Sequence, residues 1–83
     1  MKVGFAAETN DLLANARTKL AEKGLDLIAA NDVTAPGSGF AVDTNQVTLI
    51  DTSGEAVELP LMPKYDVSHR LLDRVVELLK ARA

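Results

Sequence analysis

The sequence predicts an α/β fold: a partial Rossmann-like three-layer sandwich with a mainly parallel sheet and an antiparallel hairpin at one edge. Three observations carry this. Two short apolar runs flank a segment of helical periodicity, which is the order of a βαβ unit. Two β-rich segments then bracket a glycine-containing turn. A long amphipathic segment follows them.

Residues 2–7, KVGFAA, precede the polar cluster Glu8, Thr9, Asn10, the pattern of a buried strand that ends in a loop. Thr9 or Asn10 is placed to cap the next helix, in which Leu13, Ala16 and Leu20 recur at steps of three and four. Gly24 ends that helix as a residue free to take positive φ. Residues 25–30, LDLIAA, are almost continuously apolar, as in a parallel strand covered on both faces, and the crossover into them should be right-handed. The stretch 31–45, NDVTAPGSGFAVDTN, contains Pro36, Gly37, Ser38 and Gly39, and predicts a long loop of the kind that carries function. Residues 46–51, QVTLID, and 55–59, EAVEL, pair as a hairpin around Thr52, Ser53 and Gly54. The last helix spans 64–81, with Val67, Leu71, Val75, Leu78 and Leu79 along one side. A strand as apolar as 25–30 wants a neighbour on each side. Residues 1–83 are therefore expected to be a single domain or subdomain, a fragment whose sheet is completed by a segment upstream of Met1.

Composition narrows the function. A chain of 83 residues buries only about 60% of its unfolded surface. Apolar residues make up 47% and charged residues 25%, which is the balance of a folding chain and not of a disordered one. The absence of cysteine excludes disulfides, thiolate metal sites and cysteine nucleophiles, and fits a reducing compartment. With His69 the sole histidine, a metal site would rest on carboxylates, and none stand at a ligand spacing. A net charge of −3 argues against a nucleic-acid partner, which needs a basic stripe. The apolar run after Met1 is too short for a signal-peptide core or a membrane span, so the expected location is the cytoplasm, away from membranes. GxGxxG, Walker A, GxSxG and HExxH motifs are all missing, and no catalytic residue is assigned.

Ligands of open parallel sheets bind outside the carboxyl ends of the strands, which selects residues 7–10 and 31–45. Several side chains near them have two readings. Phe5 is by default a core aromatic, and Lys19 and Lys23 are solvated cations near a helix C-terminus. Asn31 and Asp32 either meet a ligand or start a turn. Phe40 either covers a ligand or plugs the core, while Asn45 and Asp43 belong to the same glycine-containing loop, which Asn45 can brace. Glu8 either caps the turn or reaches a magnesium ion through water. His69 sits about 200° around the last helix from Val67, on its polar side.

GFAAET at 4–9, Lys19 and Lys23, DLIAANDV at 26–33, GFxxDxN at 39–45 with VTLI after it, and ELPLM at 58–62 occur in this order. In these blocks the chain resembles the distal half of the phosphopantothenoylcysteine synthetase domain, often the C-terminal half of a bifunctional protein whose other half is a flavin-dependent decarboxylase. The resemblance implies a magnesium-assisted ligase of coenzyme A biosynthesis. It uses CTP to activate 4′-phosphopantothenate as an acyl-cytidylate, which the amine of L-cysteine then attacks. It further implies that Phe5 lies beside CTP and that Lys19 and Lys23 meet its triphosphate, with no flavin in this segment; Asn31, Asp32, Phe40 and Asn45 keep both of their readings, as candidate further contacts or as structural residues. The spacing suits that role, since helix residues four apart sit about 6 Å from each other. Each close ammonium–phosphate contact is worth about 4 kcal/mol at an effective dielectric near 20, before desolvation. Family members also use an upstream glycine-rich phosphate loop, an asparagine that attends the acyl-cytidylate, and a lysine-containing motif, none of which has a counterpart in this sequence. The fragment is thus expected to be inactive without its upstream half, and the full protein to be a homodimer. The competing reading is a non-catalytic assembly module that pairs through an exposed sheet edge.

Overall fold

A computed structural model describes residues 1–35 and 44–82. Phe40, Asp43 and the centre of the expected loop lie outside the described residues. The elements run β1 (Val3–Glu8), α1 (Leu12–Glu22), β2 (Leu27–Asp32), β3 (Thr44–Asn45), β4 (Val47–Asp51), β5 (Ala56–Glu58), β6 (Met62–Pro63) and α2 (Lys64–Arg82).

The main sheet has the order β1-β2-β4-β5. Strands β1 and β2 pair in parallel from Val3↔Leu27 to Glu8↔Asp32, as the βαβ pattern requires. The expectation of a mainly parallel sheet is corrected by the next pair. Strand β4 runs antiparallel to β2, from Leu27↔Asp51 to Asn31↔Val47, and β5 runs antiparallel to β4. The return starts where β2 ends, with the Asp32 amide donating to the Gln46 carbonyl at 2.8 Å. A parallel return would instead need a crossover over a sheet face. This mixed α/β sheet also supplies β2 with a neighbour on each side from within the chain, so among the described residues the open edges are the outer sides of β1 and β5, not a flank of β2. The short strands β3 and β6, absent from the sequence reading, form a second antiparallel pair.

Strand alternation sorts the core into two halves. On one face Ile28, Ala30 and Ile50 pack with Ala16 and Leu20 of α1. On the other, Leu27, Ala29, Val47, Leu49 and Leu59 pack with Val67, Leu71, Val75 and Leu78 of α2. A helix therefore covers each face, and Leu27 to Ala30 are all buried, which is why this stretch reads as continuously apolar.

The ends of α1 divide between expectation and correction. Gly24, at φ 60°, ends it as predicted, with the Leu25 amide reaching back to the Leu20 carbonyl at 2.9 Å. At its start neither Thr9 nor Asn10 is the cap. Asp11 holds that position at φ 44°, and its side chain makes no capping bond. The Asn15 side-chain amide instead donates to the Asn10 carbonyl at 2.9 Å. This entry rotates the helix so that Leu12 packs inward while Leu13 stays exposed. Leu79 is likewise exposed, since it sits about 100° from Leu78 around α2. Gly4 has a steric reason: a Cβ there would come within 2.5 Å of Leu25 Cδ1.

One polar cluster ties α2 to the hairpin. Asp51, buried at the end of β4, accepts from Arg74 of α2 and from both the amide (2.9 Å) and the hydroxyl of Ser53. Arg74 also pairs with Glu77 at 3.0 Å and Glu55 at 3.7 Å. Burial pushes the Asp51 carboxyl up, yet the Ser53 bonds and the Arg74 charge outweigh it and hold the group below its ordinary 3.8. Truncating Arg74 to alanine strands a buried carboxylate and should cost about 2–3 kcal/mol of stability in urea unfolding. Because the folded value is depressed, the contribution of Asp51 is complete above pH 3.8 and fades as pH falls through the folded value. The advantage of the wild type over Asp51→Asn in urea midpoint should accordingly shrink below that pH.

Candidate functional site

The carboxyl ends of β1 and β2 gather most of the residues that the sequence singles out. Glu8 faces Asp32 in the parallel register, and Ala7 faces Asn31. Alternation then sends them to opposite faces of the sheet. Glu8 and Asp32 lie on the α1 side, and Phe5 and Asn31 on the α2 side.

On the α1 side, the buried carboxylate of Glu8 meets Lys19 Nζ at 2.7 Å. The lysine head stays partly in solvent, so this cation is held by one carboxylate and still accessible to another anion. Lys23 is the C-cap residue of α1, one turn further from the strand ends, and is exposed. Asp32 is turned to structure: its Oδ1 accepts from the Thr34 amide at 3.0 Å and the Thr34 hydroxyl at 2.6 Å. Those two bonds hold its carboxyl below the usual range.

On the α2 side, a groove of about 370 Å³ opens beside the edge of the sheet. Phe5 forms one wall and is 72% exposed, which is unlike the core aromatic that its apolar neighbours suggest. Asn31 and Asn45 form another, joined by a bond of 2.8 Å from Asn31 Nδ2 to Asn45 Oδ1. Lys64, Val67 and Ser68, from the first turns of α2, close the far side.

The structure thus brings Phe5, Asn31 and Asn45 to one groove and places Lys19 and Lys23 on the other side of the sheet. The sequence reading missed Lys64 and Ser68, because it gave α2 only a packing role. The available signal was Lys64 directly after Pro63, at the first position of a helix. His69 lies on the outside of α2 with its ring edge-to-face against Tyr65, centroids 4.5 Å apart, away from the groove lining. Among the described residues no three acidic or histidine side chains gather as a metal site. No helix among them is long and apolar enough to cross a membrane.

The Asn31–Asn45 bond has a positional consequence. Asn45 is buried and pairs with Met62 across the β3–β6 ladder, and Pro63 leads directly into α2. One amide bond therefore fixes the start of α2 against the end of β2. Replacing Asn31 by alanine removes a donor to a buried carbonyl oxygen and should lower unfolding free energy by about 1–3 kcal/mol. Amide exchange should rise first at β3 and β6.

Comparison with known proteins gives a consistent picture. The DNA/pantothenate metabolism flavoprotein C-terminal domain family matches residues 1–79. The coenzyme A biosynthesis bifunctional protein CoaBC of Bacillus subtilis is 55% identical over 94% of this chain, which spans 19% of that protein. A cysteine/cysteine sulfinic acid decarboxylase from an unknown prokaryote is 40% identical over 92% of the chain, which spans 21% of it. Among solved structures, the C-terminal domain of a coenzyme A biosynthesis bifunctional protein CoaBC superimposes with a TM-score of 0.77 and 40% identity, covering 95% of this chain and 37% of that one.

Proposed function

This chain belongs to the DNA/pantothenate metabolism flavoprotein C-terminal domain family, and from that premise we propose that it is the nucleotide-holding distal part of a CTP-dependent ligase in coenzyme A biosynthesis. The complete enzyme joins 4′-phosphopantothenate to L-cysteine through an acyl-cytidylate, acts as a homodimer, and needs the upstream half of its synthetase domain for the chemistry. The observation that carries this reading is Phe5. An aromatic in the GFAAET block stands open on an edge strand, beside a groove and two side-chain amides, as a platform for a heteroaromatic ring.

Lys19 and Lys23 supply the charge for the triphosphate. Phe5 and Glu8 are three residues apart, about 10 Å along the strand, a separation that a nucleoside triphosphate spans. A nucleotide with its base at Phe5 and its phosphates at Lys19 crosses the carboxyl end of β1. There a phosphate displaces or joins Glu8 on the lysine head, trading one charge-assisted bond for another. The outer edge of β1, which carries no strand among the described residues, is where the upstream half continues a Rossmann-like sheet. That same edge supports the second reading, an assembly module joined by strand addition. Magnesium assists the ligase when bound, but Glu8, the carboxylate nearest the proposed phosphates, is already engaged by Lys19, so the described residues offer the ion no ready cage.

The test is kinetic and uses the complete enzyme. Lys19→Ala with Lys23→Ala should raise KM for CTP at least about tenfold, the loss of one charged contact or more. Lys19→Ala also strands the buried Glu8, so Lys23→Ala alone, whose side chain makes no ion pair among the described residues, serves as the second variant. An unchanged KM for CTP in both would sink the assignment.

A further inference from the structure

We propose that Lys64, the first residue of α2, is a further nucleotide contact, the cation that the α2-side groove offers to the phosphate nearest the sugar of a nucleotide stacked on Phe5, before the remaining phosphates cross the strand ends toward Lys19. The proposal rests on the nucleotide reading of Phe5. Three observations on this chain point to it.

Lys64 is the one charged side chain among the described residues that line the groove; the remainder are Phe5, small or branched apolar residues, two asparagines and a serine. It makes no ion pair among the described residues, whereas Lys19 is held by Glu8 and Arg74 by three carboxylates. It also stands where a helix disfavours it. The amino end of a 19-residue helix carries the positive pole of the macrodipole and unsatisfied amides, so a lysine there is repelled by its own backbone. Asp66 in the same turn does not line the groove. An anion at the groove mouth relieves that repulsion and meets ammonium and helix end together.

The placement is also fixed, not incidental. The Asn31–Asn45 bond holds β3 to the end of β2, β3 pairs with β6, and β6 runs straight into Lys64. The ligand class follows from the lining. One ring surface, two amides able to meet ring nitrogens or carbonyls, and one cation suit a nucleotide better than a purely aliphatic anion.

The experiment measures equilibrium binding of CTP to the complete enzyme by calorimetry, at low and high salt, for wild type, Lys64→Gln, Lys64→Arg and Phe5→Ala, with melting curves alongside. Lys64→Gln should weaken CTP binding about tenfold, Lys64→Arg should recover most of it, and the gap from wild type should narrow as salt rises. Unaltered CTP affinity in Lys64→Gln, with Phe5→Ala impaired, overturns the role of Lys64 and leaves the nucleotide reading standing. Unaltered affinity in both variants overturns the two together. A Lys64→Gln effect confined to the KM for 4′-phosphopantothenate also overturns the proposal, since it would place the other substrate in the groove.

Discussion

Burial of β2 on both faces is the constraint on which the rest of this structure depends. Leu27, Ile28, Ala29 and Ala30 leave almost no surface to solvent, so each face of the strand needs its own helix and each edge its own partner. The chain meets all four demands locally: α1 on one face, α2 on the other, β1 in parallel and β4 antiparallel. In so small a body little apolar area is left over. The Asp51–Arg74 bond supplements packing at the middle of α2, beside the hairpin, where β5 is short and largely exposed.

The same strand decides what the candidate site can be. A parallel pair in register puts Glu8 beside Asp32 and Ala7 beside Asn31, and the pleat then separates neighbours to opposite faces. The α1 side carries a carboxylate-bound lysine, while the α2 side presents an aromatic, two amides, Lys64 and a largely apolar floor. A ligand that uses both sets has to run over the strand ends. This is the location expected for α/β sheets, although only one pair of strands among the described residues is parallel.

Much of the frame was legible in the sequence, and the failures share a cause. Gly24 as helix stop, the hairpin turn at Gly54, and the four residues of α2 that meet the core follow from local chemistry, and all are present. What periodicity did not reveal was pairing. Nothing in QVTLID distinguishes a strand that returns antiparallel beside β2 from one that starts a separate hairpin, because direction is set by the path of the connection. Asn31 and Asp32 read as loop because they are polar, yet β2 continues through them, with ladder bonds doing what apolar burial does earlier in the strand. The two-residue strands β3 and β6 are too short to carry any period. In the site, the blocks around Phe5 and Lys19 were recognisable as a resemblance, but their separation to two faces, and the entry of Lys64 from α2, are products of tertiary packing.

The exposure of Phe5 is a property of the face and not of the edge. Adding a strand outside β1 would satisfy its free amides and carbonyls in the plane of the sheet, where hydrogen bonds run. The phenyl ring projects roughly perpendicular to that plane, toward the groove beside α2. Strand addition by another segment or another copy sets side chains beside the ring but does not fill the groove that the ring lines. α2 does not cover the ring either, contributing Lys64, Val67 and Ser68 to the opposite wall. An edge-pairing module has no need of an aromatic in that position, while a site for a flat, charged ligand needs both the ring and the gap that α2 leaves beside it.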